Sequence, residues 1–186
     1  MTSALLVMDV QQAIVDIAGA DAAYLSRVRR AIDAARAADM PVIYVVIGFR
    51  PGFPEVGTRN RALAAIAQAG LYAEGAPGTG IHPEVAPRPG DVVVTKRRAS
   101  AFSGSDLDVL LRARGIDSLV LTGIATSAVV LSTLCQANDL DFGLTVLADG
   151  CLDLDPEVHR VLTERLFPQW ADVLTVDDWV RTIAPR

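Results

Sequence analysis

The stretch from Ser118 to Asp139 constrains the fold most strongly, because a short turn joins two apolar runs within it. The first run ends at Gly123 and the second begins at Ala128. A buried parallel strand that leads directly into a helix has this pattern. A hydroxyl of Thr126 or Ser127 could cap the helix, whose free N–H groups would form a site for an anion or an oxyanion. An ordinary strand-to-helix turn explains the same pattern, so both interpretations stay open.

Short apolar runs alternate with segments of helical periodicity along the rest of the chain. Five further runs predict strands, at residues 4–8, 42–47, 91–95, 144–148 and 172–176. Helices are predicted at residues 21–39, 61–70 and 106–113, from residue 155 onwards and at residues 177–183. Alternating strands and helices favour a mostly parallel six-stranded sheet with helices on both faces. The expected fold is a three-layer α/β/α arrangement of the Rossmann-like class, in a single domain that spans residues 1–186.

Two charged residues stand where predicted strands end. Asp9 follows the first strand and Lys96 follows the strand at residues 91–95. In open α/β sheets, ligands bind beyond the carboxyl ends of the strands, which is the edge where the turn at Gly123 also lies. A carboxylate beside the lysine would keep it charged and orient it. From these positions alone, Asp9 could equally be a solvated acid in a loop, and Lys96 could be part of a basic turn on the surface.

The candidates for substrate binding lie near these predicted strand ends. Residues 48–60 and 71–89 are rich in Gly and Pro and are expected to lie over the sheet. The candidate substrate-binding residues are Gln11, Arg50, Phe53, Arg97 and Phe102. Arginine matches a carboxylate in bidentate geometry, which favours a substrate that carries one. For each loop residue taken singly, a plain surface position is the competing interpretation.

Charge and composition exclude several classes of protein. The net charge of −5 argues against a nucleic-acid surface, which needs a basic patch. The apolar runs are far shorter than the ~20 residues of a membrane span, and the N-terminus shows no basic region or cleavage site of a signal peptide. Two cysteines, Cys135 and Cys151, do not make a disulfide framework. We therefore expect a cytoplasmic protein with reduced thiols, whose partner is a small-molecule substrate rather than nucleic acid or a membrane.

Four motifs taken together resemble the isochorismatase-like hydrolase superfamily, which includes nicotinamidases and other cysteine hydrolases. They are LLVMDVQQ (5–12), VVVTKRRASAFSGSDL (92–107), LVLTGIATSAVVLST (119–133) and VLADGC (146–151). The resemblance implies a homodimer or a larger homo-oligomer, and a catalytic triad of Asp, Lys and Cys. In that triad the Asp takes the thiol proton and the thiolate attacks a carbonyl. Asp9 and Lys96 match the first two positions, but Val129 stands at the third.

The missing nucleophile determines the functional hypotheses. The isochorismatases proper also lack the cysteine, and resemblance to them implies hydrolysis with Asp9 as general acid or base and Lys96 as its partner. The backbone N–H groups near Ala125 and Val129 would then hold an anion. The predicted substrate is a small carboxylate-bearing or cyclic amide-like molecule. One alternative is a catalytically inactive family member that acts as a binding or assembly protein, and another is an amidohydrolase with a displaced thiol, Cys151.

Neither the cysteines nor the histidines favour another chemistry. Cys135 lies six residues beyond the nucleophile position, which is about 240° and about 9 Å along a helix, so it faces elsewhere. Packing in the interior is the expected role of both Cys135 and Cys151. Some nicotinamidases bind a divalent metal through an Asp and two His after the second strand, but residues 48–60 contain no His. His82 could reach the site and His159 is expected on a solvated helix face, so neither a metal nor a cofactor is predicted.

Overall fold

Six parallel strands form the central sheet of the computed structural model, which describes residues 2–183. The strands are β1 (Ser3–Met8), β2 (Val42–Ile47), β3 (Val92–Lys96), β4 (Ser118–Ile124), β5 (Gly143–Leu152) and β6 (Asp172–Leu174). Their order is β3-β2-β1-β4-β5-β6, and every neighbouring pair is parallel. The predicted α/β fold is confirmed, with a sheet that is parallel throughout. Residues 1 and 184–186 of the predicted domain lie outside the described residues.

Helices cover both faces of this sheet. They are α1 (Gln12–Ile17), α2 (Ala22–Ala37), α3 (Arg61–Gln68), α4 (Leu107–Ala113), α5 (Leu131–Asp139), α6 (Pro156–Val161) and α7 (Val176–Ile183). A π-helical turn at Thr126–Val130 precedes α5, and another at Leu162–Leu166 follows α6. The sequence did not predict α1, because six residues are too few to show a helical period. Within residues 2–183, no helix combines the length and the apolar character that a membrane span requires.

Strand β1 shows how one strand contributes to two hydrophobic cores. Leu6 and Met8 pack with apolar residues of α4 and α5 on one face of the sheet. Leu5 and Val7 pack with apolar residues of α2 and α7 on the other face. Successive side chains of a strand point to opposite faces, and all four of these are at most 1 % exposed. The strand is therefore a continuous apolar run in the sequence, as expected for a parallel sheet covered on both sides.

The strand order brings three distant parts of the chain to one edge. Strands β2 and β3 lie on one side of β1, whereas β4, β5 and β6 lie on the other. The direction in which strands are added therefore reverses beside β1, and α/β proteins bind ligands at such a point, outside the carboxyl ends of the strands. Asp9, Lys96 and the turn that begins at Gly123 all follow or end strands at this edge.

Two local features shape this edge. Strand β5 continues to Leu152 instead of ending at residue 148, and its register against β4 shifts on the way. Gly123 has a φ of +149°, and a Cβ at this residue would lie 2.2 Å from the carbonyl oxygen of Met8. Glycine is therefore required here, since it has no side chain to prevent the close approach of β4 to β1.

Candidate active site

Asp9 and Lys96 form a buried ion pair at the carboxyl edge of the sheet. Asp9 Oδ2 lies 2.9 Å from Lys96 Nζ, and the two side chains are 8 % and 1 % exposed, respectively. Lys96 Nζ also donates to the carbonyl oxygen of Arg98 at 3.0 Å. Asp9 has a left-handed backbone with a φ of 56°, which aspartate tolerates better than most residues. The structure thus brings together the two residues that the sequence placed at separate strand ends.

Burial dominates the electrostatics of Asp9. Desolvation raises the pKa of its carboxyl group above the usual value, while the charge and the hydrogen bond of Lys96 partly oppose that rise. The second carboxyl oxygen, Oδ1, is buried and has no hydrogen-bond partner within residues 2–183. A buried oxygen without a partner costs free energy, which a ligand or a water molecule could recover by donating to it. Asp9 therefore holds a proton more readily than a solvated aspartate does.

The turn after β4 presents main chain and an aliphatic side chain to this site. The peptide bond between Ile124 and Ala125 is cis, and the π-helical turn at Thr126–Val130 follows it. Val129, the residue at the predicted nucleophile position, is 1 % exposed and packs in the core with residues of α4 and α5. A valine side chain cannot form a covalent intermediate. At residue 129 the turn therefore carries no side chain that could act as a nucleophile.

The side chain that caps this turn belongs to Asp153, a residue distant in the sequence. The expectation that Thr126 or Ser127 caps the helix is wrong, because no side chain of the turn makes a capping bond. Instead, the N–H of Ser127 donates to Asp153 Oδ2 at 2.6 Å, and Asp153 follows the end of β5. Thr126 Oγ1 lies 2.8 Å from Nδ1 of His159. A buried carboxylate of the protein thus accepts from one of the N–H groups that were expected to bind an anion.

A cavity of about 350 Å³ opens beside the ion pair. Asp9 and Lys96 line it, as do Ala125 and Val129, whose N–H groups are the predicted oxyanion donors. Its polar lining residues are Asp9, Lys96, Asn60 and Tyr72, and its apolar ones are Ile14, Ile17, Ala18, Ile47, Ala62, Leu63, Ile66, Ala99, Ile124, Ala125, Ala128, Val129 and Leu154. The described lining contains no cysteine, serine or threonine, so the usual nucleophiles of acyl transfer are absent from it.

Three of the predicted substrate-binding residues lie outside the cavity lining, and their side chains contact other parts of the protein. Gln11 is fully buried, and its side-chain amide exchanges hydrogen bonds with both main-chain groups of Ile47. Phe53 packs against Phe49, with 5.7 Å between the ring centroids. Phe102 is buried in the core on the α4 side of the sheet. The polar and apolar contacts of these side chains are thus made within the protein.

The predicted arginines also lie outside the cavity lining, because acidic residues hold them elsewhere. Arg50 Nη1 lies 2.6 Å from Glu55 Oε1. Arg97 Nη2 lies 2.6 Å from Glu74 Oε1, and its Nε lies 3.7 Å from Glu55. Arg97 also donates to the carbonyl oxygen of Gly48. The charges that were expected to bind a substrate carboxylate are therefore neutralised by the protein itself.

Neither cysteine lines the cavity, and the two differ in their surroundings. Cys151 is 4 % exposed in β5, and burial raises the pKa of its thiol to about 12. Such a thiol forms almost no thiolate at neutral pH. Cys135 is exposed on α5, so the expectation that it packs in the interior is wrong. Its pKa is also raised, by partial desolvation and by the charge of Asp139, and the structure supports neither thiol as a displaced nucleophile.

The two histidines also lie apart from the cavity lining. His159 is half-buried against Thr126, so the expected solvated position is wrong. Burial lowers the pKa of its imidazole, and the charge of Asp153 opposes that change. His82 caps the short helix at Pro83–Val85 by accepting a main-chain hydrogen bond. Among residues 2–183, no group of three or more His, Cys, Asp or Glu side chains is placed to hold a metal ion.

Tyr72 is one of two polar lining residues, the other being Asn60, that the sequence did not predict. Its backbone is left-handed with a φ of 61°, and its carbonyl oxygen accepts from the N–H of Phe49 at 2.9 Å. Burial raises the pKa of its phenol, and the charge of Asp9 adds to the rise, so Tyr72 remains a hydrogen-bond donor at neutral pH. The side chain of Asn60 already has a partner within the protein, because its Oδ1 caps α3 by accepting from the N–H of Leu63. No local pattern marks Tyr72, since main-chain contacts distant in sequence bring its loop to the site.

Comparison with known sequences identifies the family to which this chain belongs. The isochorismatase domain matches residues 3–178. The chain belongs to the isochorismatase family. A similar relative is the ureidoacrylate amidohydrolase RutB of Stutzerimonas stutzeri, which is 39 % identical over 177 residues, or 83 % of this chain and 71 % of the relative.

Solved structures of similar proteins share the fold. An isochorismatase family protein from Burkholderia thailandensis has a TM-score of 0.84 and 30 % identity, and the match covers 98 % of this chain and 95 % of that one. The N-carbamoylsarcosine amidase from Thermoplasma acidophilum has a TM-score of 0.77 and 28 % identity over 95 % of this chain and 98 % of that one. The resemblance stated from the sequence motifs is thereby confirmed, and the protein is an isochorismatase-like hydrolase.

Proposed function

We propose that this protein hydrolyses a small amide-type molecule, with water as the nucleophile and Asp9 as the group that moves the proton. One observation carries the proposal: the buried Asp9–Lys96 pair, with one unpaired carboxyl oxygen, lines a cavity whose described lining has no cysteine, serine or threonine. The relatives named ureidoacrylate amidohydrolase and N-carbamoylsarcosine amidase support an amide bond as the target.

Proton transfer through Asp9 would complete this reaction without a covalent enzyme intermediate. The ionised carboxyl group takes a proton from water while the water oxygen bonds to the carbonyl carbon. The proton then passes to the amide nitrogen, the carbon–nitrogen bond breaks, and Asp9 is ionised again when acid and amine leave. The raised pKa makes Asp9 a stronger base than a solvated aspartate, while the charge of Lys96 favours the ionised form that starts the cycle.

The negative charge that develops on the carbonyl oxygen needs hydrogen-bond donors. The backbone N–H groups near Ala125 and Val129 are the predicted donors, and both residues line the cavity. The phenol of Tyr72 is a further donor on the cavity wall. Donors that are already in place stabilise a developing oxyanion without reorganisation, which is the largest contribution in many acyl-transfer enzymes.

A binding protein without catalysis is the second candidate function. Val129 places an unreactive side chain in the cavity lining where the resemblance puts the thiol, so the cavity can hold a ligand without a covalent step. The retained ion pair favours hydrolysis instead. Replacing a buried ion pair by apolar residues is often neutral or stabilising, so stability alone gives little reason to keep Asp9 and Lys96 together.

A turnover screen with matched variants tests the proposal. Primary amides, cyclic imides, N-carbamoyl compounds and vinyl ethers are supplied. The measured products are ammonia or acid from the first three classes and the carbonyl compound from the vinyl ethers. Asp9→Asn should lower kcat/KM by about 100-fold or more, because the amide cannot accept the proton. Asp39→Asn is the matched control, since Asp39 shares the left-handed backbone with a φ of 53° but is exposed. This control should leave turnover unchanged.

Two results would contradict the proposed function. The first is turnover that survives Asp9→Asn, and the second is binding of amides by the wild-type protein with no product from any class. Alkylation with iodoacetamide completes the screen, because the water mechanism needs no thiol. Inactivation by iodoacetamide that Cys151→Ala prevents would support a displaced thiol instead.

A further inference from the structure

The charge balance around the cavity indicates the class of substrate. We infer that the enzyme acts on amides with an uncharged, aliphatic body and discriminates against analogues that carry a carboxylate. The inference rests on the proposed hydrolysis at Asp9 and reverses the carboxylate-bearing substrate expected from the arginine positions. It follows from the ion pairing of the charged lining residues and from the apolar character of the rest of the lining.

The charges of the described lining are already paired with each other. Lys96 contacts Asp9 at 2.9 Å and donates a further hydrogen bond to a main-chain carbonyl. The guanidinium of Arg98 donates to the carbonyl oxygens of Arg97 and Glu55, at 2.6 and 3.0 Å, and does not belong to the lining. Arg59 and Arg61 are exposed and flank the lining residues Asn60 and Ala62 without belonging to the lining themselves. Within the described lining, a substrate carboxylate would therefore lose its hydration without an unpaired cation to replace it. It would also meet the negative charge of Asp9.

Apolar side chains form both the wall and the mouth of the cavity. Ile14, Leu63 and Ile66 are among the residues of the wall. Ile17 and Leu154 also line the cavity, and they are 56 % and 66 % exposed, so they mark the mouth. An aliphatic chain that packs against these side chains removes apolar surface of both partners from water. Each methylene buried in this way should improve binding about fourfold.

Matched pairs of amides test the inference. Hexanamide and adipic acid monoamide have the same length and differ in the terminal carboxylate, and a series from butanamide to octanamide varies the aliphatic body. We expect kcat/KM to rise about fourfold per methylene until the cavity is filled. The monoamide should be slower than hexanamide by roughly 100-fold. Equal or faster turnover of the monoamide would overturn the inference and leave the proposed hydrolysis intact.

Binding measurements separate failure of the inference from failure of the proposed function. Calorimetric titration of the wild-type protein with the same two amides needs no turnover. If neither amide is hydrolysed, the proposed function fails for this class, and tighter binding of hexanamide still supports the ligand class. Tighter binding of the monoamide, or no binding of either amide at millimolar concentration, overturns the inference.

A charge placed at the mouth provides a second, independent test. Leu154→Arg adds a cation beside the cavity on an exposed side chain, so the fold should tolerate it. The preference for hexanamide over the monoamide should shrink by about tenfold or more, because the arginine can pair with the carboxylate. Val109→Arg is the matched control, since Val109 is 69 % exposed and lies outside the lining. The same shift from both variants would show a general charge effect and contradict the assignment to the cavity.

Discussion

Lys96→Met tests whether Asp9 is held as a buried charge. Lys96 is the only lysine in the chain, its side chain is 1 % exposed, and its Nζ lies 2.9 Å from Asp9 Oδ2. Methionine fills a similar volume with an unbranched, adaptable side chain and carries no charge. The substitution therefore keeps most of the packing and leaves the carboxyl group of Asp9 buried without its ionic partner.

The cost of this change can be estimated from the burial of the pair. Removing one partner of a buried ion pair destabilises a protein by about 3–5 kcal/mol. With a urea m-value of about 2 kcal/mol/M, the unfolding midpoint should fall by about 2 M. The variant should also raise the pKa of Asp9 further, because the charge and hydrogen bond of Lys96 oppose the effect of burial.

The loss of stability should depend on pH with a definite sign. A carboxyl group whose folded pKa is raised contributes stability that is fully present below its unfolded pKa and is lost as pH rises through the folded pKa. For Asp9 that window opens just above its ordinary value of 3.8. The loss in Lys96→Met should therefore be complete at pH 8 and smaller at pH 5.5, where more of Asp9 is protonated.

Urea unfolding followed by tryptophan fluorescence at both pH values measures this loss. The double variant Asp9→Asn/Lys96→Met has no charge in the pair, so it should recover most of the stability and the pH dependence should disappear. Arg29→Met removes an ion pair with Glu84 in which both side chains are more than half exposed, and it should change little, because solvent screens such pairs. A loss below about 1 kcal/mol at pH 8, or an equal loss at pH 5.5, would refute the reasoning from burial.

Two further substitutions test the turn after β4. Val129→Cys should add to the water-dependent turnover a second hydrolytic activity that iodoacetamide abolishes, because the unpaired Oδ1 of Asp9 could take the thiol proton. Assays of this variant and of the wild-type protein with and without the reagent check this, and equal resistance of both proteins would contradict the expectation. Gly123→Ala should lower the free energy of unfolding by about 3 kcal/mol or more, because the new Cβ would lie 2.2 Å from the carbonyl oxygen of Met8. In the same denaturation assay, Gly57→Ala should have little effect, since a Cβ there meets nothing within 4 Å, and equal losses would contradict the steric argument.

Local patterns in the sequence predicted most of the fold. The apolar run Val42–Ile47 is a strand in both the prediction and the structure. The helix predicted from residue 155 onwards is α6, and Asp155 caps it by accepting from the N–H groups of Glu157 and Val158. These features depend on neighbours in the chain, so periodicity and capping chemistry are sufficient to find them. The extension of β5 to Leu152 was missed, because it depends on pairing with β4, far away in the sequence.

The candidate site was predictable only in part. Asp9 and Lys96 could be placed at one edge, because the carboxyl ends of parallel strands lie side by side. The capping role of Asp153 was not predictable, since its bond to the N–H of Ser127 joins residues 26 positions apart. The loop that carries Tyr72 is attached to the end of β2 by main-chain bonds, which no sequence pattern records.

The sequence by itself determined the layers of the fold, the edge where the site lies and the absence of a thiol at position 129. Only the tertiary structure decided which charged side chains form ion pairs within the protein. Arg50 and Arg97 are held by Glu55 and Glu74, and the pKa of Asp9 is set first by the exclusion of water. The physical reason is that hydrophobic periodicity records the spacing of side chains along the chain, whereas ion pairing and desolvation depend on neighbours in space.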